Sequence, residues 1–185
     1  PLRRSEFPIG VLGLGVLGQQ VATGLAAFQY PVNGWSRTPR LVDGVQCFHG
    51  EQGLQDFLAA SRFLVCLLPL TPDTQGLLNR DTMSRLQPGG YLINVARGGH
   101  LVDQDLLDLL ESGQMAGATL DVFHTEPLPG DHPFWRHPKI TVTPHTSART
   151  LRDETIAQIA DKLQAVAAGA SIASLGGVVD RQRGY

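Results

Sequence analysis

The stretch that most restricts how this chain can fold is "IGVLGLGVLGQQVATGLAAF", residues 9–28. It begins as a short apolar strand, passes through Gly13, Gly15 and Gly18, and continues with Val21, Leu25 and Phe28 at helical spacing. Between a strand and a helix, G-x-G-x-x-G gives each glycine a separate task. Gly13 permits a tight turn, Gly15 lets a pyrophosphate approach the backbone, and Gly18 lets helix and strand pack closely. The helix N-terminus then offers unpaired N–H groups and a partial positive charge to the phosphates. A glycine-rich turn without a ligand is the plainer alternative.

The rest of the chain alternates in the same way. Strands are expected at Ile9–Leu14, Val32–Trp35, Gly44–Phe48, Phe63–Leu67, Tyr91–Val95, Gly117–Val122 and Ile140–Val142. Helical patterns lie between them. Asp103 reads as the N-cap of "QDLLDLLESG", closed by Gly113, and a last helix carries the stripe Ile156, Ile159, Leu163 and Val166 behind Thr150 and Asp153 at capping-box spacing. The clearest apolar runs suit strands buried on both faces, as in a parallel sheet sandwiched between helices. The expected fold is α/β, a doubly wound parallel sheet of the Rossmann type, and in such sheets ligands bind beyond the carboxyl ends of the strands.

With 42% hydrophobic and 17% charged residues and a net charge of −2, the chain has no basic surface for nucleic acid. Its longest apolar run, "FLVCLLPL", is too short to cross a bilayer, and "PLRRSEFP" has no secretory pattern. Cys47 and Cys66 have no metal or redox spacing and read as free thiols, which makes the cytoplasm the expected location and a metal unexpected.

After the second strand comes "GWSRTPR", with Ser36, Arg37, Thr38 and Arg40 and no acid before Asp43. A carboxylate there would repel a 2′-phosphate, whereas a guanidinium flanked by hydroxyls would pair with it. NADP (NADPH) is therefore expected over NAD, with Arg37 as anchor; solvated loop arginines are the other reading. Three later strand ends carry Arg97, then Asp121 and Glu126, then His145. Ketone reduction by hydride needs such a set. Arg97 would hold an oxo acid, His145 would donate the proton, and Glu126 would orient the imidazole and favour its charged form. Asp121 reads either as a buried turn-former or as a partner of a nicotinamide amide. His49, His100, His124, His132 and His137 read as surface or packing histidines.

Together "VLGLGVLGQQVA", "CLLPLTPDTQGLLN", "LINVARGGHLVDQDLL", "GATLDVFHTEPLP" and "VTPHTSA" resemble the D-isomer-specific 2-hydroxyacid dehydrogenase family, over residues 9 to about 170. Within it, "GWSRTPR" and the closing "VDRQRGY" are most similar to the NADPH-preferring glyoxylate/hydroxypyruvate reductase branch. The resemblance implies Arg97 as the substrate-binding arginine, Glu126 as the carboxylate partner and His145 as the acid/base. The cofactor set it implies is Gly13, Gly15, Val16, Leu17, Gly18, Trp35, Ser36, Arg37, Leu68, Pro69, Ala96, Asp121 and His145. It also implies a homodimer through "LTPDTQGLLNRDTMSRL" and a separate substrate domain. Residues 1–8 then read as a hinge, 9–169 as the dinucleotide-binding domain, and 170–185 as the tail of a substrate domain whose other part is absent. The same motifs also serve a dinucleotide-sensing, corepressor-like protein without significant turnover.

Overall fold

The structure is a computed structural model and describes residues 3–148 and 151–179. The chain forms two compact units, Pro1–His145 and Thr146–Tyr185. In the first, seven parallel strands are ordered β3-β2-β1-β4-β5-β6-β7. They are β1 (Ile9–Leu12), β2 (Val32–Ser36), β3 (Gln46–His49), β4 (Phe63–Cys66), β5 (Gly90–Asn94), β6 (Met115–Leu120) and β7 (Ile140–Val142). Each expected strand is present, with ends displaced by two residues at most. The helices of this unit are α1 (Val16–Ala27), α2 (Gly50–Ala59), the short α3 (Arg80–Met83) and α4 (Asp103–Glu111).

Neighbouring residues of a strand point to opposite faces, so a strand with apolar residues at consecutive positions feeds two cores. Val11 packs with Leu14, Ala22 and Val32, beside Val21 and Leu25 of α1. The adjacent Leu12 belongs to the larger core with Phe57 and Leu58 of α2, Met83 of α3, and Leu106, Leu109 and Leu110 of α4. The sheet is thus covered on both faces, which makes parallel pairing stable here.

Two local expectations are corrected in this unit. Phe28 is not on the apolar face of α1; it follows the helix as its C-cap and is 66% exposed. Asp103 is the first residue of α4 rather than its N-cap, which is Val102. Its carboxylate lies 3.6 Å from His124 Nε2 and 3.5 Å from His132 Nε2 instead of capping the helix. A first-turn acid still interacts favourably with the helix N-terminus. Gly113 does take a left-handed φ of 78° just past the helix, as a terminating glycine should.

In the second unit α5 (Arg152–Ala167) starts from Leu151 as N-cap, so Asp153 is its second residue and not the third position of a capping box. Thr150 lies outside the described residues. Ile156, Ile159, Leu163 and Val166 are all exposed. Among the described residues no helix is long and apolar enough to cross a membrane.

Candidate functional site

The strand registers align the carboxyl ends in one row. Leu12 pairs with Trp35 and Cys66, Cys66 with Asn94, Asn94 with Leu120, and Leu120 with Val142. Whatever follows these residues emerges along one edge of the sheet. The chain order reverses between β1 and β4, where a crevice for ligand opens in such sheets.

At that reversal the glycines occupy three distinct environments. Gly13 has φ 112°, a left-handed value that L side chains rarely adopt. A Cβ on Gly18 would lie 1.8 Å from the Gly13 carbonyl oxygen, so only glycine allows α1 to start this close to β1. A Cβ on Gly15 would meet nothing within 4 Å. Gly15 is also the N-cap of α1 and supplies no side-chain cap, so the first N–H groups of the helix remain available to an anion. Bare backbone, open space and a helix N-terminus fit a pyrophosphate. Val16 and Leu17, the first two residues of α1, are 81% and 51% exposed.

Trp35 and Ser36 end β2, and Arg37 follows them at the surface. The Trp35 indole N–H donates to the Gly50 carbonyl at 2.9 Å, and the Ser36 hydroxyl to the Thr38 carbonyl at 2.8 Å. These bonds hold the turn that carries Arg37 beside the crevice. Leu68 and Pro69 follow β4 on the neighbouring side, half-buried.

Beyond β5 the backbone is organised by Asn94, which is fully buried. Its amide nitrogen donates to the Arg97 carbonyl at 3.1 Å, and its side-chain oxygen accepts the Ala96 N–H at 3.2 Å. Ala96 is buried, whereas Arg97 is exposed, its guanidinium donating back to the Ala96 carbonyl at 2.6 Å. At Gly98 a Cβ would sit 2.0 Å from the Phe123 carbonyl carbon and 2.4 Å from the His124 nitrogen. The turn after β5 is therefore pressed against the loop after β6, the loop that bears Glu126.

That loop begins with Asp121, 1% exposed, which accepts the Thr143 hydroxyl at 2.5 Å. Glu126 Oε1 accepts the Phe123 N–H at 3.0 Å, and Oε2 lies 2.6 Å from His145 Nδ1. A carboxylate can only accept, so Nδ1 carries the proton of this bond. The Glu126 carboxyl is held below its ordinary value, first by the bond from His145 and then by the Phe123 N–H. The positive charges of His145 and Arg97 act in the same direction, against the opposing effect of burial. His145 has φ 51°, a left-handed value uncommon for a residue with a side chain. A cavity of about 380 Å³ adjoins the pair, lined by Glu126, His145, Phe123, Leu128, Trp135 and Val142. A larger hollow of about 560 Å³, lined by Arg4, Phe7, Tyr30 and Phe63, lies at the amino ends of β1 and β4, away from these groups.

Arg97, Glu126 and His145 are thus brought to one edge, together with Asp121. Sequence reasoning passed over Asn94 and Thr143, which with Gly98 shape that edge. Asn94 had a signal, an amide inside an apolar strand. Thr143 and the contact at Gly98 had none, because both depend on which loops become neighbours. Among the described residues no cluster fits a metal ion, and Cys47 and Cys66 are free, with burial pushing the Cys66 thiol up to about 12.

A family model described as "D-isomer specific 2-hydroxyacid dehydrogenase, NAD binding domain" matches residues 3–147. A glyoxylate/hydroxypyruvate reductase A of Serratia proteamaculans is 52% identical over all 185 residues, and one of Yersinia enterocolitica is 48% identical. The chain spans 58% of the length of each of these curated relatives. Among solved structures, a D-isomer-specific 2-hydroxyacid dehydrogenase of Xanthobacter autotrophicus, in complex with NADPH and MES, superposes with a TM-score of 0.94 at 43% identity. It covers all of this chain and 75% of its own. An NADPH-dependent glyoxylate/hydroxypyruvate reductase of Sinorhizobium meliloti, with NADP and sulfate, gives 0.94 at 38% identity, covering all of this chain and 58% of its own.

Proposed function

Because the chain belongs to the D-isomer-specific 2-hydroxyacid dehydrogenase family, we propose that it carries the cofactor-side half of an NADPH-dependent reductase of small 2-oxo acids, glyoxylate or hydroxypyruvate. The observation that carries this reading is the 2.6 Å contact between His145 Nδ1 and Glu126 Oε2, made beside Arg97. A bound nicotinamide supplies the hydride. Arg97 holds the carboxylate of the oxo acid and polarises its carbonyl by charge-assisted hydrogen bonds. With Nδ1 committed to Glu126, the second ring nitrogen of His145 delivers the proton to the forming alkoxide. Glu126 keeps the ring oriented and stabilises its positive form. Asp121 would hold the cofactor's amide end, Gly15 and the start of α1 its pyrophosphate, and Arg37 its 2′-phosphate. The names and bound ligands of the similar proteins support the substrate class and NADP over NAD. A cytoplasmic homodimer, paired through residues 70–86, belongs to the same reading.

The test is NADPH oxidation by the intact protein with glyoxylate and with hydroxypyruvate, for wild type and Arg97→Ala. Turnover is expected to fall by about two orders of magnitude or more, since an oriented charged group is lost, while NADPH affinity stays. An unchanged kcat/KM removes Arg97 from the mechanism. A wild type that binds NADPH and reduces neither acid overturns the enzymatic reading in favour of a dinucleotide-binding regulator.

A further inference from the structure

His100 was expected to be a packing or surface residue, and the structure buries it among groups that a packing residue does not need. It is fully buried and ends the short 3₁₀ turn Gly98–His100 that follows Arg97. Its ring nitrogens each face a main-chain carbonyl: Nδ1 lies 3.0 Å from the Arg97 oxygen, and Nε2 lies 3.3 Å from the Pro69 oxygen. One carbonyl belongs to the residue that meets the substrate, the other to the loop that flanks the cofactor. The backbone stitches the same two segments together, with Gly76 N–H donating to the Gly99 carbonyl and Leu78 N–H to the His100 carbonyl.

A carbonyl oxygen only accepts. A neutral imidazole has a single N–H and ties one of the two carbonyls, and a doubly protonated ring ties both. If volume alone were needed, an apolar side chain would fill this place without setting two ring nitrogens opposite acceptors in a region closed to water. Each carbonyl also has another donor, Asn94 Nδ2 for Arg97 and the Thr74 hydroxyl for Pro69. Losing the imidazole therefore leaves neither carbonyl orphaned, and the chain keeps a route to folding.

We infer that His100 is a positioning residue, whose ring links the Arg97 turn to the Pro69 loop and so sets the substrate-binding guanidinium relative to the cofactor. Its consequence for turnover rests on the function proposed above; its consequence for cofactor binding does not. The peptide that follows Arg97 decides where that side chain points, and His100 grips the carbonyl of this peptide.

The experiment compares wild type, His100→Phe and His100→Gln in the intact protein, reading KM and kcat for glyoxylate, the NADPH Kd by fluorescence titration, and Tm. His100→Phe retains bulk and removes both nitrogens. It is expected to raise KM for glyoxylate about tenfold and to weaken NADPH several-fold, as loss of a buried hydrogen bond would. His100→Gln keeps a donor and is expected to fall between the two. A His100→Phe protein with a lowered Tm but wild-type KM and Kd overturns the inference, because it would show packing alone. Should His100→Phe fail to fold, His100→Leu, which also lacks any donor, decides: raised KM and Kd support the tie, and wild-type values refute it. If the wild type reduces no oxo acid, the proposed function falls, and the tie stands or falls on the NADPH Kd of the variants.

Discussion

Replacing Gly98 with alanine adds one methyl group at the narrowest point between the two loops that carry Arg97 and Glu126. The new Cβ would lie 2.0 Å from the Phe123 carbonyl carbon, where ordinary contact begins at 3.4 Å. Backbone surrounds it, so no side chain can swing aside, and the two loops must part by ~1.4 Å in the direction of that contact. Overpacking of this kind costs about 1–3 kcal/mol of stability. The functional loss is of the same order, because a displacement of ~1 Å between reacting groups can cost about 100-fold in rate, roughly 2.7 kcal/mol of barrier. Gly98→Ala in the intact protein is therefore expected to reduce glyoxylate about 100-fold more slowly, with NADPH affinity nearly unchanged, since the phosphate end lies at α1. The assay is steady-state NADPH oxidation alongside fluorescence titration and thermal unfolding. A variant with kcat/KM within about twofold of wild type would refute the claim that this contact sets the spacing.

Gly15→Ala is the converse case: its Cβ meets no protein atom, so Tm should hold while NADPH binding weakens about tenfold or more, since the methyl takes the place of phosphate oxygens; retained affinity by titration would remove Gly15 from the site. Arg37→Asp should reverse cofactor preference toward NADH by loss of a charge-assisted pair and gain of repulsion, and a wild type that already prefers NADH would disprove the assignment of that loop. The pH dependence follows from Glu126, whose carboxyl is held below its usual value of 4.5. A depressed carboxyl stabilises the fold at pH above that usual value, and the contribution is lost as pH falls through the lower folded-state value. With the Glu126 side chain 35% exposed the effect is modest. Urea unfolding of wild type and Glu126→Gln should show a stability gap near neutrality that narrows below about pH 4.5, and a gap that widens on acidification would contradict it.

Much of the architecture was legible without coordinates, because parallel strands buried on two faces must be continuously apolar and the helices between them must be periodic. "IGVL" and "FLVC" could hardly be anything else. The glycine spacing was equally legible, since each of its positions answers to a steric demand that acts over a few residues. Caps and helix ends were less so. Asp103 has the chemistry of an N-cap, but two imidazoles that arrive from the loop after β6 take its carboxylate. Phe28 keeps the helical period and still falls beyond the end of α1.

What the residues determined alone was the kind of surface at each strand end: bare backbone after β1, cations after β2 and β5, a carboxylate after β6 and an imidazole after β7. Which of these meet was decided by the tertiary structure. The register of four strand pairs brings the ends of β4, β5, β6 and β7 level with β1, and the clearance at Gly98 lets the loops close on one another. Only then does a histidine 19 residues from Glu126 come within hydrogen-bond distance, and only then does His100, already beside the Arg97 carbonyl of its own turn, meet that of Pro69. Local sequence specifies periodicity and sterics within an element, whereas contacts between loops depend on where the sheet delivers them.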